Sequence, residues 1–161
     1  MTIELATVQD LQIILEIFSF ARAEMKKMGN TSQWQDNYPS QEVLLNDINN
    51  QNCFICREQN SILGTFACIR GVDPTYLKIV QGNWINEDPY ITIHRIASNR
   101  QIKGLGRRII QWCFQQHPNI RIDTHTDNKP MQHILDTENF VKCGIIYTDD
   151  GTPRIAYQKT I

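Results

Sequence analysis

The hydrophobic period changes once along the chain, and this change limits the folds available to it more than any other feature. In the first fifty or so residues, apolar side chains recur three or four positions apart, which is the spacing of amphipathic helices. From Cys53 onward, short β-branched segments alternate with helical ones, separated by Gly, Pro and Asn. This pattern predicts an α+β fold built around a sheet.

The predicted elements follow from this periodicity and from turn and capping signals. Helix starts are indicated by a near capping box at Thr7 to Asp10, by Ser40, and by Asp127 or Thr126. The predicted helices span residues 11–25, 41–48, 104–116 and 128–137. The predicted strands span residues 3–6, 53–58, 62–70, 90–97, 120–124, 141–147 and 154–159. The order is therefore β-α-α-β-β-β-α-β-α-β-β, around a mixed sheet.

Length and charge exclude several classes of protein. The 161 residues, of which 41% are hydrophobic, suit a single domain over residues 1–161. With 16 basic and 17 acidic residues the net charge is -1, which disfavours a nucleic-acid partner. No apolar run reaches the roughly 18 residues of a membrane span. Because the N-terminus lacks a basic and an apolar signal region, we expect a cytoplasmic protein.

The five cysteines are expected to be reduced thiols, since nothing indicates secretion. Cys53 and Cys56 form a C-x-x-C pair, a spacing that also occurs in zinc and redox sites. The pair lies in a predicted strand, where residues three apart point to opposite faces. We therefore interpret both as small apolar core residues and expect no metal site.

A strand, a polar loop and a helix meet at residues 96–108, and this is the most informative segment. The start of a helix offers unpaired N–H donors to a phosphate, and Gly104 and Gly106 allow close approach of the backbone. Lys103 and Arg107 add positive charge. The segment lacks a Walker A loop, and Ile109 replaces the third glycine of a dinucleotide fingerprint. The alternative is a plain helix start in which glycine serves as a cap.

The spacing Gln101-x-x-Gly104-x-Gly106 resembles the [QR]-x-x-G-x-[GA] motif of the GNAT superfamily of N-acetyltransferases. In that family this loop holds the pyrophosphate of acetyl-CoA. Asn128-x-x-Met131 resembles the start of the family's later helix, whose Asn contacts the pantetheine arm. Residues 93–98 and 123–131 resemble a small bacterial subgroup whose members are mostly known only by family.

The resemblance implies a GNAT-like, mostly antiparallel sheet flanked by helices, with acetyl-CoA as cosubstrate and no metal. It implies direct acetyl transfer to a primary amine, carried by a small molecule or a peptide; a homodimer is compatible with this interpretation. The residues expected to bind acetyl-CoA are Ile96, Ala97, Ser98, Gln101, Lys103, Gly104, Leu105, Gly106, Arg107 and Asn128.

The candidate catalytic and acceptor residues are one histidine and three aromatic side chains. His94 is the candidate general base because its ordinary pKa suits proton transfer near neutral pH, although a packed structural histidine is the alternative. The resemblance implies that a backbone N–H near Ile96 and Ala97 stabilises the thioester oxygen. It also places the family's proton-donating Tyr at Leu135. The aromatic residues expected to enclose the amine, or alternatively to anchor their loops, are Trp34, Tyr38 and Trp84.

Two other functions fit the same sequence. The first is a catalytically silent acyl-CoA-binding or regulatory module on the same fold, which the missing Tyr supports. The second is a structural partner protein with no substrate, for which the glycine loop would have no purpose. Release of CoA thiol separates the first of these from an N-acetyltransferase.

Overall fold

The computed structural model describes residues 1–161 and contains seven strands and four helices. The strands are β1 (Thr2–Leu5), β2 (Cys53–Glu58), β3 (Ser61–Arg70), β4 (Ile91–Ser98), β5 (Asn119–Thr124), β6 (Val141–Tyr147) and β7 (Pro153–Thr160). The helices are α1 (Leu11–Lys27), α2 (Gln41–Asn49), α3 (Leu105–Gln116) and α4 (Lys129–Thr137). The predicted order of elements and the α+β class are confirmed. No helix has the length and apolar character needed to cross a membrane.

Capping side chains set the starts of two helices. The Ser40 hydroxyl accepts a hydrogen bond of 3.2 Å from the Val43 N–H at the start of α2, as predicted. At α4 the cap is Asn128, whose Oδ1 accepts from the Met131 N–H at 3.2 Å. The expectation of Asp127 or Thr126 as this cap is wrong, because Pro130 occupies the first turn and the chain enters the helix at residue 129.

The sheet has the strand order β1-β2-β3-β4-β5-β7-β6. Every neighbouring pair is antiparallel except β4 and β5, which are parallel. These two strands pair only at Ile91 with Ile120 and at Thr92 with Arg121. Beyond these positions the two strands diverge. The remaining residues of β4 stay paired with β3 but have no backbone partner on the β5 side. The sheet is therefore split at its centre.

Helices cover both faces of the sheet and enclose two core clusters. On one face, α1 and α2 bury Ile14, Phe18 and Leu44 against the strands. On the other face, α3 and α4 bury a second cluster that includes Ile109 and Leu135. Burying these apolar side chains is the main force that stabilises such a fold.

The two C-x-x-C thiols belong to different clusters. Cys53 lies in the cluster below α1, and Cys56 lies in the cluster below α3. Their side chains therefore point to opposite faces of β2, as strand alternation predicts. Burial raises the pKa of Cys53 to about 11 and that of Cys56 to about 12, so both thiols stay protonated near neutral pH.

A β-bulge interrupts β4 just where this strand leaves β5. Ala67 of β3 pairs with His94, but the next pair is Thr65 with Ala97, so two residues of β4 face one residue of β3. Arg95 in this bulge has a φ of +54°. Its guanidinium donates to both carboxylate oxygens of Asp47, at 2.7 and 2.8 Å, and this buried pair holds the bulge in place.

Candidate active site

A cleft of about 790 Å³ opens where β4 and β5 separate. Ile96, Ala97 and Ser98 form part of its wall on the β4 side, and residues 122–124 form the wall on the β5 side. The loop between α1 and α2, residues 30–38, forms a third side of the cleft. One continuous space therefore extends from Gly106, at the start of α3, to the loop that carries Trp34 and Tyr38.

The loop before α3 presents a row of free hydrogen-bond donors. No backbone N–H group of residues 102–107 donates a hydrogen bond of good geometry within the protein, and the first well-formed main-chain bond of the helix is from Arg108 to the Gly104 carbonyl. Gly104 has a φ of +74°, a left-handed conformation that glycine adopts without strain. A side chain at Gly106, which borders the cleft, would meet Ile134 at 3.1 Å. The loop is thus shaped to bind an anion through its backbone.

Half of the residues predicted to bind acetyl-CoA border the cleft, namely Ile96, Ala97, Ser98, Gly106 and Asn128. Of the others, Gln101, Lys103 and Gly104 lie on the loop outside the cleft wall, where the backbone and the Lys103 charge can still meet an anion. Leu105 points into the core and is only 2% exposed, so its side chain cannot contact a ligand.

The Arg107 side chain is engaged at the end of helix α4. Its guanidinium donates to the Thr137 hydroxyl at 2.8 Å and pairs with Glu138 at 2.8 Å, both at the end of α4. The side chain leaves α3 on the face that packs on α4. The structure therefore gives Arg107 a role in joining two helices and does not direct its charge to the cleft.

Asn128 is already engaged through both ends of its amide. Its Oδ1 caps α4, and its Nδ2 donates to Oε1 of Gln33 at 2.9 Å. Nδ2 of Asn30 donates to the same Gln33 oxygen at 2.9 Å. The backbone carbonyl of Gln33 accepts from Arg154 of β7 at 3.4 Å. Gln33 thus connects the loop between α1 and α2 to the start of α4 and to β7. The sequence did not indicate this contact.

His94 borders the cleft and lies between two aspartates that the sequence analysis did not single out. Its Nε2 is 2.7 Å from Oδ2 of Asp73, and its Nδ1 is 3.8 Å from Oδ1 of Asp123. Burial raises the pKa of Asp73, but hydrogen bonds from His94 and Thr75 outweigh this and lower it to about 2. Asp73 was identifiable as the start of a turn before Pro74, but its approach to His94 depends on how the chain folds back between β3 and β4.

The predicted acceptor aromatics separate into two groups. Trp34 and Tyr38 border the cleft; the Trp34 ring packs edge-on against Phe18 at 5.4 Å. Trp84 does not border the cleft. It packs on Tyr76 at 5.2 Å and donates through Nε1 to the Tyr76 carbonyl at 2.9 Å. In this structure Trp84 anchors its loop to Tyr76, which agrees with the alternative, and its place around the amine stays a prediction.

Comparison with solved structures places this arrangement in a family. A GNAT-family acetyltransferase from Streptococcus agalactiae 2603 is 34% identical, with a TM-score of 0.90 over 99% of this chain and 95% of that one. The chain belongs to the GNAT family of acetyltransferases. A GNAT-family acetyltransferase from Listeria monocytogenes 4b F2365 is 18% identical, with a TM-score of 0.72 over 99% and 94% of the two chains. No family model matches the sequence, and no curated protein does.

A further GNAT-like fold comes from a Salmonella typhimurium protein solved with its cofactor acetyl-CoA. It is 15% identical, with a TM-score of 0.65, and the match covers 99% of this chain and 93% of that one. At this identity the likeness shows the fold alone.

The residue that the resemblance aligns with the family's Tyr lies away from the cleft. Leu135, at the position of the family's Tyr, is fully buried in the core and does not border the cleft. The residues of α4 that do border it are Pro130, Met131 and Ile134, none of which can transfer a proton. The cleft face of α4 therefore carries no proton donor or acceptor side chain.

Proposed function

We propose that this chain is an N-acetyltransferase that moves an acetyl group directly from acetyl-CoA to a primary amine of a small molecule or peptide. The observation that supports this most strongly is the continuity of the cleft. It runs from Gly106, at the start of α3, to an ionisable cluster around His94, between strands that separate after two residue pairs. Both substrates can therefore lie in one space.

The glycine loop fits the diphosphate of acetyl-CoA. Free N–H groups at residues 102–107 provide donors, and the positive end of the α3 dipole favours a negative charge at this position. Gly104 has no atom within 4 Å of the place where a Cβ would stand, so the loop surface is open there. When bound, acetyl-CoA supplies the thioester whose carbonyl carbon accepts the amine.

The edge of β4 from Ile93 to Ser98 can supply a backbone N–H donor to the thioester oxygen. In a strand, every second residue directs its N–H and C=O toward the same edge, and here that edge faces the cleft because β5 has moved away. Such an N–H can stabilise the negative charge that develops on the thioester oxygen. Ile96 and Ala97 occupy the central part of this edge.

His94 is proposed as the general base. An alkyl ammonium must lose a proton before its nitrogen can attack, and an imidazole is suited to accept that proton near neutral pH. The side chain is 22% exposed, so it is accessible from the cleft. The contact with Asp73 fixes the orientation of the ring.

Binding and turnover test the proposal separately. If acetyl-CoA at about 100 times its Kd binds only the folded state, it adds about 2.7 kcal/mol of stability, and the melting temperature rises by roughly 5–10 °C. NAD and ATP should give much smaller shifts, because the loop has neither of their fingerprints. Release of CoA thiol with a panel of primary amines then measures transfer. Absence of both a thermal shift and calorimetric heat with acetyl-CoA contradicts the proposal.

A catalytically silent acyl-CoA-binding or regulatory module is the second candidate. The observation that favours it is the absence of any proton-transferring side chain on the cleft face of α4. It predicts the same thermal shift with acetyl-CoA but no thiol release with any amine above the rate of hydrolysis without protein.

A further inference from the structure

The acceptor end of the cleft contains two hydrogen-bond acceptors that face each other without a donor between them. Nδ1 of His94 and Oδ1 of Asp123 are 3.8 Å apart, which is too far for a direct hydrogen bond. Both residues border the cleft. The protonation states of the neighbouring groups decide whether both atoms are in fact acceptors.

Asp73 fixes the proton on the ring of His94. Its Oδ1 accepts from the backbone N–H and the hydroxyl of Thr75, at 2.9 and 2.6 Å, so Oδ2 is the oxygen left for His94. With a pKa of about 2, Asp73 is a carboxylate at neutral pH and can only accept. Nε2 of His94 must therefore carry the proton, and in the neutral ring Nδ1 has a free lone pair.

A hydrogen bond from Tyr76 keeps the Asp123 carboxylate oriented as an acceptor. The Tyr76 hydroxyl donates to its Oδ1 at 2.6 Å. Burial, together with the Asp123 charge, raises the pKa of Tyr76 well above its usual value, so the hydroxyl keeps its proton. Next to Asp123, Thr124 also borders the cleft, and its hydroxyl is fully buried with no hydrogen-bond partner. A buried polar group without a partner is costly, so this part of the β5 wall is not fully satisfied within the protein.

We propose that the gap between His94 Nδ1 and Asp123 Oδ1 is the subsite that receives the protonated amino group of the acceptor, and that Asp73 is the positioning residue that keeps the Nδ1 lone pair directed to it. This inference rests on the proposed acetyl transfer. An ammonium group has three donors in a tetrahedral arrangement, so one nitrogen can donate to both atoms.

The charge of the cleft favours a cationic acceptor over one that carries a carboxylate. Its border contains three guanidinium groups, on Arg95, Arg100 and Arg154. It contains seven carboxylates, on Glu24, Asp36, Asp73, Asp123, Asp127, Asp149 and Asp150. Arg95 pairs with Asp47, which lies outside the border, and Arg100 pairs with Glu24, so six border carboxylates remain against the single guanidinium of Arg154. The acceptor class is therefore an alkyl ammonium compound, including one with a second positive charge.

The protons and bonds of the step balance. One N–H bond of the ammonium breaks, its proton moves to Nδ1 of His94, and the nitrogen keeps the electron pair. A C–N bond then forms to the acetyl carbon and the C–S bond breaks. The second N–H proton is transferred to the departing thiolate, which ends as CoA thiol, and the proton on His94 returns to solvent.

The tautomer of His94 is measurable without turnover, by long-range proton–nitrogen NMR of the imidazole at a pH where the ring is neutral. We expect the Nε2–H tautomer in the wild type. In Asp73→Asn, the Thr75 N–H still requires an oxygen, so the new amide NH₂ turns to His94 and shifts the ring to the Nδ1–H tautomer. Asp88→Asn, an exposed residue outside the cleft, is the charge-matched control and should keep the wild-type spectrum. An Nδ1–H tautomer in the wild type overturns the assignment.

The ammonium subsite is tested by titrating the protein with n-butylammonium chloride and, in parallel, with 1-butanol. The His94 signals should shift with the ammonium ion and not with the alcohol, and Asp123→Asn should weaken ammonium binding by about tenfold or more. Asp123→Glu keeps the charge and should recover part of this affinity. Equal shifts with butanol, or unchanged ammonium affinity in folded Asp123→Asn, refute the subsite.

Kinetics separate this inference from the proposed function. With an amine that the wild type acetylates, Asp123→Asn should mainly raise the KM of the amine, and Asp73→Asn should mainly lower kcat, each by about tenfold or more. If the wild type releases no thiol with any amine, the proposed function fails, while the NMR results on the subsite stand. If the wild type is active and both variants match it, the subsite is wrong and the acetyltransferase stands.

Discussion

Replacing Asp47 with Asn tests the idea that one buried ion pair holds the bulge of β4. The side chains of Asp47 and Arg95 are only 6% and 12% exposed, and the two bonds between them measure 2.7 and 2.8 Å. Removing one charge of such a pair leaves the other uncompensated inside the protein, which costs about 3–5 kcal/mol. Since Tyr38 still accepts one bond from Arg95 at 3.1 Å, we expect the lower value, about 3 kcal/mol.

For a protein of this size, each kcal/mol lowers the melting temperature by roughly 2–4 °C, so Asp47→Asn should melt about 6–12 °C below the wild type. Differential scanning calorimetry measures this, with circular dichroism to show that the variant folds. Glu4→Gln is the control, because it removes a more exposed pair with Arg57 and should leave the melting temperature nearly unchanged. If both variants melt within about 2 °C of the wild type, the pair does not stabilise the bulge as argued.

Four further outcomes are expected. Gly104→Val, at a φ of +74°, should lower acetyl-CoA affinity by about tenfold, or about 1.4 kcal/mol, with a wild-type circular dichroism spectrum; unchanged calorimetric affinity contradicts the loop assignment. Trp34→Ala should raise the KM of the amine and leave acetyl-CoA affinity constant, and loss of acetyl-CoA binding in folded protein counts against this division of the cleft. Leu135→Tyr should destabilise the fold by about 1–3 kcal/mol by overpacking, so a rise in melting temperature or in rate contradicts its buried position. The pKa of Asp73 is about 2 in the folded protein against an ordinary 3.8. Its contribution to the free energy of unfolding is therefore present above about pH 4 and is lost as the pH falls toward 2. Chemical denaturation across this range should show that the free energy of unfolding depends less on pH in Asp73→Asn than in the wild type.

The backbone order was predictable because local signals determine it. Helical spacing around Ile14 and Phe18, the cap at Ser40 and the alternation from Cys53 all act within a few residues, and each agrees with the structure. The Gln101-x-x-Gly104-x-Gly106 spacing is similarly local, and the positive φ of Gly104 gives it a physical reason. The family assignment followed from these short-range features.

The side-chain partners could not be predicted in the same way. Asp73 and His94 are 21 residues apart and meet only because the connection between β3 and β4 returns to the sheet. Arg107 was expected at the phosphate loop on the basis of charge, yet the neighbouring helix α4 offers it a carboxylate. Trp84 was expected in the cleft because its loop is polar, but a bulky ring in a long loop can equally hold the loop to the body of the protein.

The split at the centre of the sheet also divides the chain. Strands β1 to β4 all precede residue 99, and strands β5 to β7 all follow residue 118, so each half of the sheet is one continuous stretch of sequence. Within the sheet only two residue pairs join the halves. The connection is completed by α3, which packs on strands of both halves, and by the loop before β4, where Val80 forms a β-bridge with Ile145 of β6. A ligand in the cleft touches both stretches at once. It therefore adds a further non-covalent connection between the two halves, beside those that the protein already contains.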